Sequence, residues 1–302
     1  MIVTTATEAG ALKETLEEIV TDDTEGGVDD LPVFKIFETG SMKDNFVDDL
    51  EYGGPGLAVE KPEATEVQAG SIKEGYLTRY MARTFALKLI ISDEALEDEK
   101  YDKVIMAAKR LKRAMNKTVE IDATNVFVRM FNSSFVGGDS VPLGSSSHTL
   151  PQGGTFSNIM ATPQSPSVAA VIVATTQIRK YPGHDGIIEG YEPECIGCPV
   201  DQWAAWDVIL HSTHKPEAGE FNAVNVVNST LELDAYPMKQ WTNSTTNWFL
   251  KTNVDNGLKW LWRRRPKGRA WVDNDHEVKK YSISARWARG WSDPRCVLGV
   301  NA

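Results

Sequence analysis

Cysteine is scarce in this chain: three in 302 residues, an odd number. No disulfide framework is built from so few, and the thiols suit a reducing compartment. Long apolar runs are missing too. No stretch reaches the roughly 18 apolar residues that a membrane-spanning helix needs, so no membrane partner is expected. The opening residues MIVTTATEAGALKETLEE lack the basic start and apolar centre of a secretory signal, and none is expected. That empties the glycosylation triplets at Asn132, Asn228 and Asn243 of their usual meaning. Positive charge is short: 32 basic residues against 42 acidic ones leave a net −10. Proteins that grip phosphate backbones are generally basic, because their affinity comes from released counterions, so general nucleic-acid binding is disfavoured. Catalytic signatures are also wanting. There is no Gly-rich phosphate loop, no HExxH and no carboxylate pair in a convincing setting. GSSSH at 144–148 sets serines beside His148 without a G-x-S-x-G elbow, and reads as a polar loop. No catalytic, cofactor-binding or metal-binding residue is assigned, and the chain is not read as an enzyme.

One absence is local. Residues 92–132 contain neither glycine nor proline. Within them Val104, Ala108, Leu111, Met115, Val119, Ala123, Val126 and Met130 recur in steps of three or four, one continuous apolar stripe. Ser92 is an expected N-cap, and five carboxylates follow where the positive end of the helix dipole favours them. A helix over 93–131 is predicted, about 58 Å long at 1.5 Å per residue. That exceeds the width of most small domains.

Hydrophobic residues make up 41% and charged residues 25%, enough for a core in two ordinary domains or one elaborate one. Residues 1–50 are acidic, with one short amphipathic helix expected over 8–20 (Leu12, Leu16, Ile19) and an exposed turn after it. This segment has little core of its own and needs a neighbour. Residues 51–92 read as a long two-stranded excursion that returns to the body. It ends in a half-buried strand with Phe85, Leu87, Leu89 and Ile91 on one face. A Gly/Ser-rich loop covers 136–158. Ser167 precedes a helix carrying Val168, Val171, Ile172, Thr175 and Ile178, and a second helix fits 200–212. Strands are expected over 230–236, 247–251, 258–263 and 277–287.

Three clusters invite sharper readings. Cys195-x2-Cys198 is followed, after twelve residues, by His211-x2-His214. Two thiolates and two imidazoles suit tetrahedral zinc, and the alternative function is then a soluble zinc-binding regulatory protein. The histidines are one residue too close for a zinc finger, however, and CIGCPV also reads as a strand with inward cysteines, which is preferred. Nine tryptophans, seven of them after residue 240, raise a second alternative, a Trp-rich glycan-binding module. Trp287 follows a strand period, which points to core or interface instead. RRRPKGR at 263–269 lies between Trp-containing segments and reads as a solvated hairpin tip.

The order of elements carries more than any cluster. ISDEALEDEKYD (91–102) closes an aromatic-rich strand and leads into the long helix. Ser145 to Asn158 spell S-x-x-H-x-L-x-x-G-G-x-x-S-N, and Arg286, Gly290, Asp293 and Arg295 form a terminal R-x3-G-x2-D-x-R. Over about 35–302 this resembles the major capsid proteins of tailed bacteriophages, the Hong-Kong-97-type fold, and within it the Mu-like major head subunits. The resemblance implies an α+β fold with these parts: an N-terminal arm (1–50), an extended E-loop hairpin (51–83), a P-domain (84–162 and 261–302) with a long spine helix and β-strands, and an α/β A-domain (163–260). It implies a structural protein that self-assembles through pentamers and hexamers into an icosahedral shell around double-stranded DNA, with no sequence-specific binding. Scaffold, portal and decoration proteins are the implied partners, with a separate scaffold because the arm is too short to carry one. The implied location is the virion, after assembly in the host bacterial cytoplasm. Lys61 and Lys73 fall in the E-loop, but no signature marks a crosslinking partner, and crosslinking is not expected.

Overall fold

The computed structural model describes residues 28, 31–70, 72, 74–92, 94, 101–151, 153–216 and 223–302, with backbone alone for 101–105. The helix expected over 8–20 lies outside them. After a 3-10 turn at Pro32–Lys35 come four strands: β1 (Glu38–Ser41), β2 (Phe46–Tyr52), β3 (Glu74–Met81) and β4 (Arg83–Ser92). Helix α1 (Tyr101–Val128) follows, then the short β5 (His148–Thr149) and β6 (Thr155–Phe156), and α2 (Val168–Ile178). The remainder is β7 (Pro193–Pro199), α3 (Trp203–His211), α4 (Val226–Thr230), β8 (Asp234–Met238), β9 (Trp248–Thr252), β10 (Leu258–Asp273), β11 (Val278–Trp291) and β12 (Val297–Val300).

Two four-stranded sheets organise these elements, in the orders β1-β10-β11-β4 and β12-β9-β7-β8. The first is covered on one face by α1. The helix supplies the predicted stripe: Ala108, Leu111, Met115, Val119, Ala123 and Val126 are all buried. β11 answers with Tyr281, Ile283, Ala285 and Trp287, every second residue, as the alternation requires. Aromatic rings fill the gap. Trp260 and Trp287 stack at 5.5 Å, Phe85 stacks on Trp287 at 4.2 Å, and Phe34 meets Trp260 edge-on at 5.0 Å. Such pairs add about 0.5–1.5 kcal/mol each beyond the area they bury.

The second sheet is a wall with a core on each side. Phe249, Cys195 and Val297 face α1 and the first core, while Trp248, Leu250, Ile196 and Leu298 face α2 and α3. Burial on both faces explains why these strands read as near-continuous apolar runs rather than alternating ones. Gly197 sits mid-wall because a Cβ there would fall 2.1 Å from the Phe249 ring. Helix α2 starts where expected, with Ser167 Oγ accepting from the Ala170 N–H. Val168, Val171, Thr175 and Ile178 are buried and Ile172 is exposed.

Four sequence expectations need correction. The long helix ends at Val128, not 131, because Met130 and Asn132 bond three residues back, to Phe127 and Arg129, and tighten into turns. Its first turns, and the surroundings of the Ser92 cap, lie outside the described residues. The strand expected over 230–236 begins only at Asp234. Before it runs α4, capped by Asn225, whose amide also donates to the Ile209 and Ser212 carbonyls. The basic run 263–269 is not a hairpin tip. It lies inside β10, whose register slips between Trp262 and Lys267, around Pro266, and the turn falls at 274–277. A bulge accommodates the missing N–H of proline in a strand that is an edge there, since β1 pairs only as far as Trp262. Last, the excursion is two separate pairings. β2 and β3 form a ribbon, while β4 belongs to the first sheet beside β11.

Candidate functional site

The thiol and imidazole cluster does not come together. Cys195 faces the α1 core and Cys198 the opposite one. Burial pushes both thiols up to about 12. His211 is exposed at the end of α3, beside Asp207 at 3.2 Å. Among the described residues no three His, Cys, Asp or Glu side chains are placed to hold a metal ion. The zinc reading is therefore rejected. The tryptophans form no sugar platform either: Trp203 and Trp271 are exposed on different elements, and Trp206, Trp241, Trp248, Trp260, Trp262 and Trp287 are buried. A groove of about 500 Å³ beside α2 is lined by residues such as Ile172, Val173 and Lys180, with no acid, histidine or cysteine among them.

His148 is buried rather than part of an open loop. Its Nδ1 lies 2.6 Å from the Asp139 carboxylate and its Nε2 3.1 Å from Asn158 Oδ1. Asn158 in turn donates to the Leu143 and Pro294 carbonyls and accepts from the Ser145 N–H. The 145–158 motif is thus a polar knot tying the loop after α1 to the chain terminus. The terminal motif ends the same way. Arg295 is 2% exposed, bonds Asp293 at 2.8 Å and the Pro182 carbonyl at 2.7 Å, and lies over the Phe156 ring.

That terminal segment also anchors the β2–β3 ribbon. Lys259 bonds Asp49 at 2.7 Å, Ser292 donates to the same carboxylate, and Tyr80 meets Ser292 at 2.7 Å. Burial alone would raise the Asp49 pKa, but the Lys259 and Ser292 hydrogen bonds outweigh it and lower the value. Glu51 sits deeper, with its side chain 4% exposed and 3.9 Å from the His184 ring. Burial, reinforced by nearby Asp293, pushes Glu51 up to about 8, so it is protonated at neutral pH. Burial and the Arg295 charge lower the His184 pKa. Gly75 makes the approach possible, since a Cβ there would fall 2.7 Å from the Cβ of Glu51. Nothing in the sequence marked Glu51; its surroundings come from three distant segments.

Beyond this anchored base the ribbon becomes an arm. Residues 54–70 are all exposed, with a tip at Pro62–Thr65 where Thr65 bonds back to Pro62 and Ala64 takes φ 60°. Leu57, Val59, Val67 and Ile72 are 67–75% exposed. Apolar side chains left uncovered on a ribbon with a fixed base are the kind of surface that marks an interaction site.

The chain matches a family model described as phage capsid protein over residues 75–300. Solved structures share its fold. The capsid of cyanophage P-SCSP1u superposes with a TM-score of 0.57 at 10% identity, covering 88% of this chain and 86% of that one. The capsid of a native GTA particle gives 0.54 at 14% identity, with 90% of each chain covered. A chain of Mycobacterium phage Bobi gives 0.53 at 10% identity, over 99% of this chain and 98% of that one. Comparison with curated protein sequences gives no match. With a family model spanning well over half its length and a mixed helix-and-strand capsid fold, this chain belongs to the phage capsid protein family and is a structural major capsid protein.

Proposed function

We propose that this chain tiles the icosahedral head of a tailed phage, closing five- and six-membered rings around packaged double-stranded DNA. The observation that carries this is the arm. Its base is pinned by Lys259, Asp49, Ser292 and Tyr80, while Leu57, Val59, Val67 and Ile72 stand in solvent. An isolated ribbon is marginal in water, so its apolar residues need a neighbouring subunit. Rings of this kind close by head-to-tail contacts, and obligate assemblies bury on the order of thousands of Å² per subunit. The solved GTA particle whose subunit shares this fold is described with C5 symmetry, which supports the five-fold half of the reading.

In this reading residues 1–50 are the N-terminal arm, 51–83 the E-loop, 84–162 with 261–302 the P-domain, and 163–260 the A-domain. The subunit catalyses nothing. It meets scaffold, portal and decoration proteins, assembles in the host cytoplasm and ends in the virion. A net charge of −10 suits a shell that encloses DNA without gripping it. The test is a Leu57→Ser, Val67→Ser double variant. It is expected to keep the unfolding temperature of the unassembled chain, because both residues are already exposed, and to lose particle formation by light scattering. Normal particles from this variant would refute the arm's role.

A further inference from the structure

Two apolar surfaces over the second core stay bare, and they differ in shape. Helix α4 touches both α2 and α3, so these two flank it above the same core. Each buries one side in that core and leaves a second apolar side in solvent. On α3 that side is a ridge. Trp203 is 59% exposed, Val208 is 52% exposed, and Val200, in the 3-10 turn that leads into the helix, is 40% exposed. Ala204 and Val208 stand one helical turn apart beside Trp203, so the bare residues form one stripe. Trp203 is the most exposed of the nine tryptophans. On α2 the bare side is the groove of about 500 Å³, where Ile172 and Val173 line the space together with Phe156 and Pro182. Gln177 is fixed in its wall: Nε2 donates to the Ser157 and Ile159 carbonyls at 3.1 and 2.9 Å. Its Oε1 accepts from no described residue.

The two surfaces also differ in charge. Lys180 borders the groove, is exposed, and has no acidic partner among the described residues. Asp201 and Asp207 bracket Trp203 on the ridge. Asp201 has no cationic partner among the described residues, and Asp207 has only the His211 ring at 3.2 Å. An acidic apolar ridge and a basic apolar groove are complementary, whereas two ridges or two grooves would set like charges together. Within one subunit they stay apart, because α4 stands between the helices that carry them. A tryptophan that enters a pocket is a common anchor of protein interfaces, and its indole N–H needs an acceptor there, which the Gln177 Oε1 supplies. Two different patches that fit one another make a head-to-tail contact, the kind that closes rings.

We propose that the α3 ridge of one subunit seats in the α2 groove of the next copy in a ring. Trp203 enters the groove beside Val173 and Gln177, and the carboxylates that bracket it face Lys180. This rests on the assembly reading and adds to it the pair of surfaces that joins neighbours within a ring.

The test is oxidative crosslinking of assembled full-length protein carrying Val173→Cys and Ala204→Cys together. Both positions are exposed, and the three native thiols are buried. A non-reducing gel is expected to show a ladder of joined subunits that ends at the closed ring, while either single variant stays monomeric. Trp203→Ala should raise the protein concentration needed for assembly about tenfold or more. Its unfolding temperature as an unassembled chain should not change, because the side chain is already exposed. Lys180→Glu, also an exposed change, should weaken assembly in the same direction. Links confined within one chain, or dimers from either single variant, the mark of a two-fold contact, would each overturn the proposal. So would Trp203→Ala or Lys180→Glu protein that assembles like the parent. Microscopy is run in parallel. Particles that form without the ladder overturn this seat and leave the assembly reading standing, and a parent protein that forms neither rings nor shells overturns both.

Discussion

Replacing Glu51 by glutamine keeps the shape of the ribbon's anchor and removes its titration. In the folded chain the Glu51 carboxyl holds its proton up to about 8, against 4.5 when free. The unfolded chain thus releases that proton as pH rises past 4.5, while the folded chain retains it. Stability from this group is full below 4.5 and falls as pH rises through the window, at about 1.4 kcal/mol per pH unit, or roughly 4–5 kcal/mol in all. Above about 8 the loss is complete. His184 acts the other way. Its lowered pKa means that stability is lost as pH falls through the ordinary imidazole range, because the buried ring is neutral. Subtracting the variant from the parent isolates Glu51. Between pH 5 and 7.5 the Glu51→Gln variant should gain about 3 kcal/mol relative to the parent, which is about 5 °C in unfolding temperature for a chain of this size. Thermal unfolding of the unassembled chain measures this, and hydrogen exchange in β2 and β3 localises it. Parallel curves for the two proteins from pH 5 to 8, or a parent that gains on the variant as pH rises, would refute the reasoning.

Leu111 is 6% exposed on the α1 stripe. Leu111→Asp buries a carboxylate without a partner and should cost on the order of 4 kcal/mol or more, leaving no soluble particles; size-exclusion chromatography of the soluble fraction checks it. Chelation should leave the unfolding temperature unchanged, and elemental analysis should find no zinc at one per chain, because Cys195 and Cys198 point into different cores.

What was legible in the sequence was periodic. The α1 stripe, the β11 alternation and the Ser167 cap are local patterns, and local patterns survive folding when one face is buried. The basic run at 263–269 misled because seven polar or turn-prone residues look like a tip, and only pairing with 282–286 keeps them in a strand. The cysteine pair misled because spacing says nothing about which face a side chain takes. Strand alternation sets Cys195 and Cys198 on opposite sides of the wall. Of the knot of Asp139, His148 and Asn158, the last two stood in the 145–158 motif, but nothing in the sequence showed that they meet Asp139 or are buried. Glu51 was invisible, since its partners lie at 184 and 293–295.

The account's central claim is that this chain is a shell-building subunit. Negative-stain microscopy with light scattering on the purified full chain tests it most directly. Closed shells, or rings of five and six subunits, are predicted. A 33.4 kDa monomer at every concentration, with or without co-expressed phage head proteins, would contradict it.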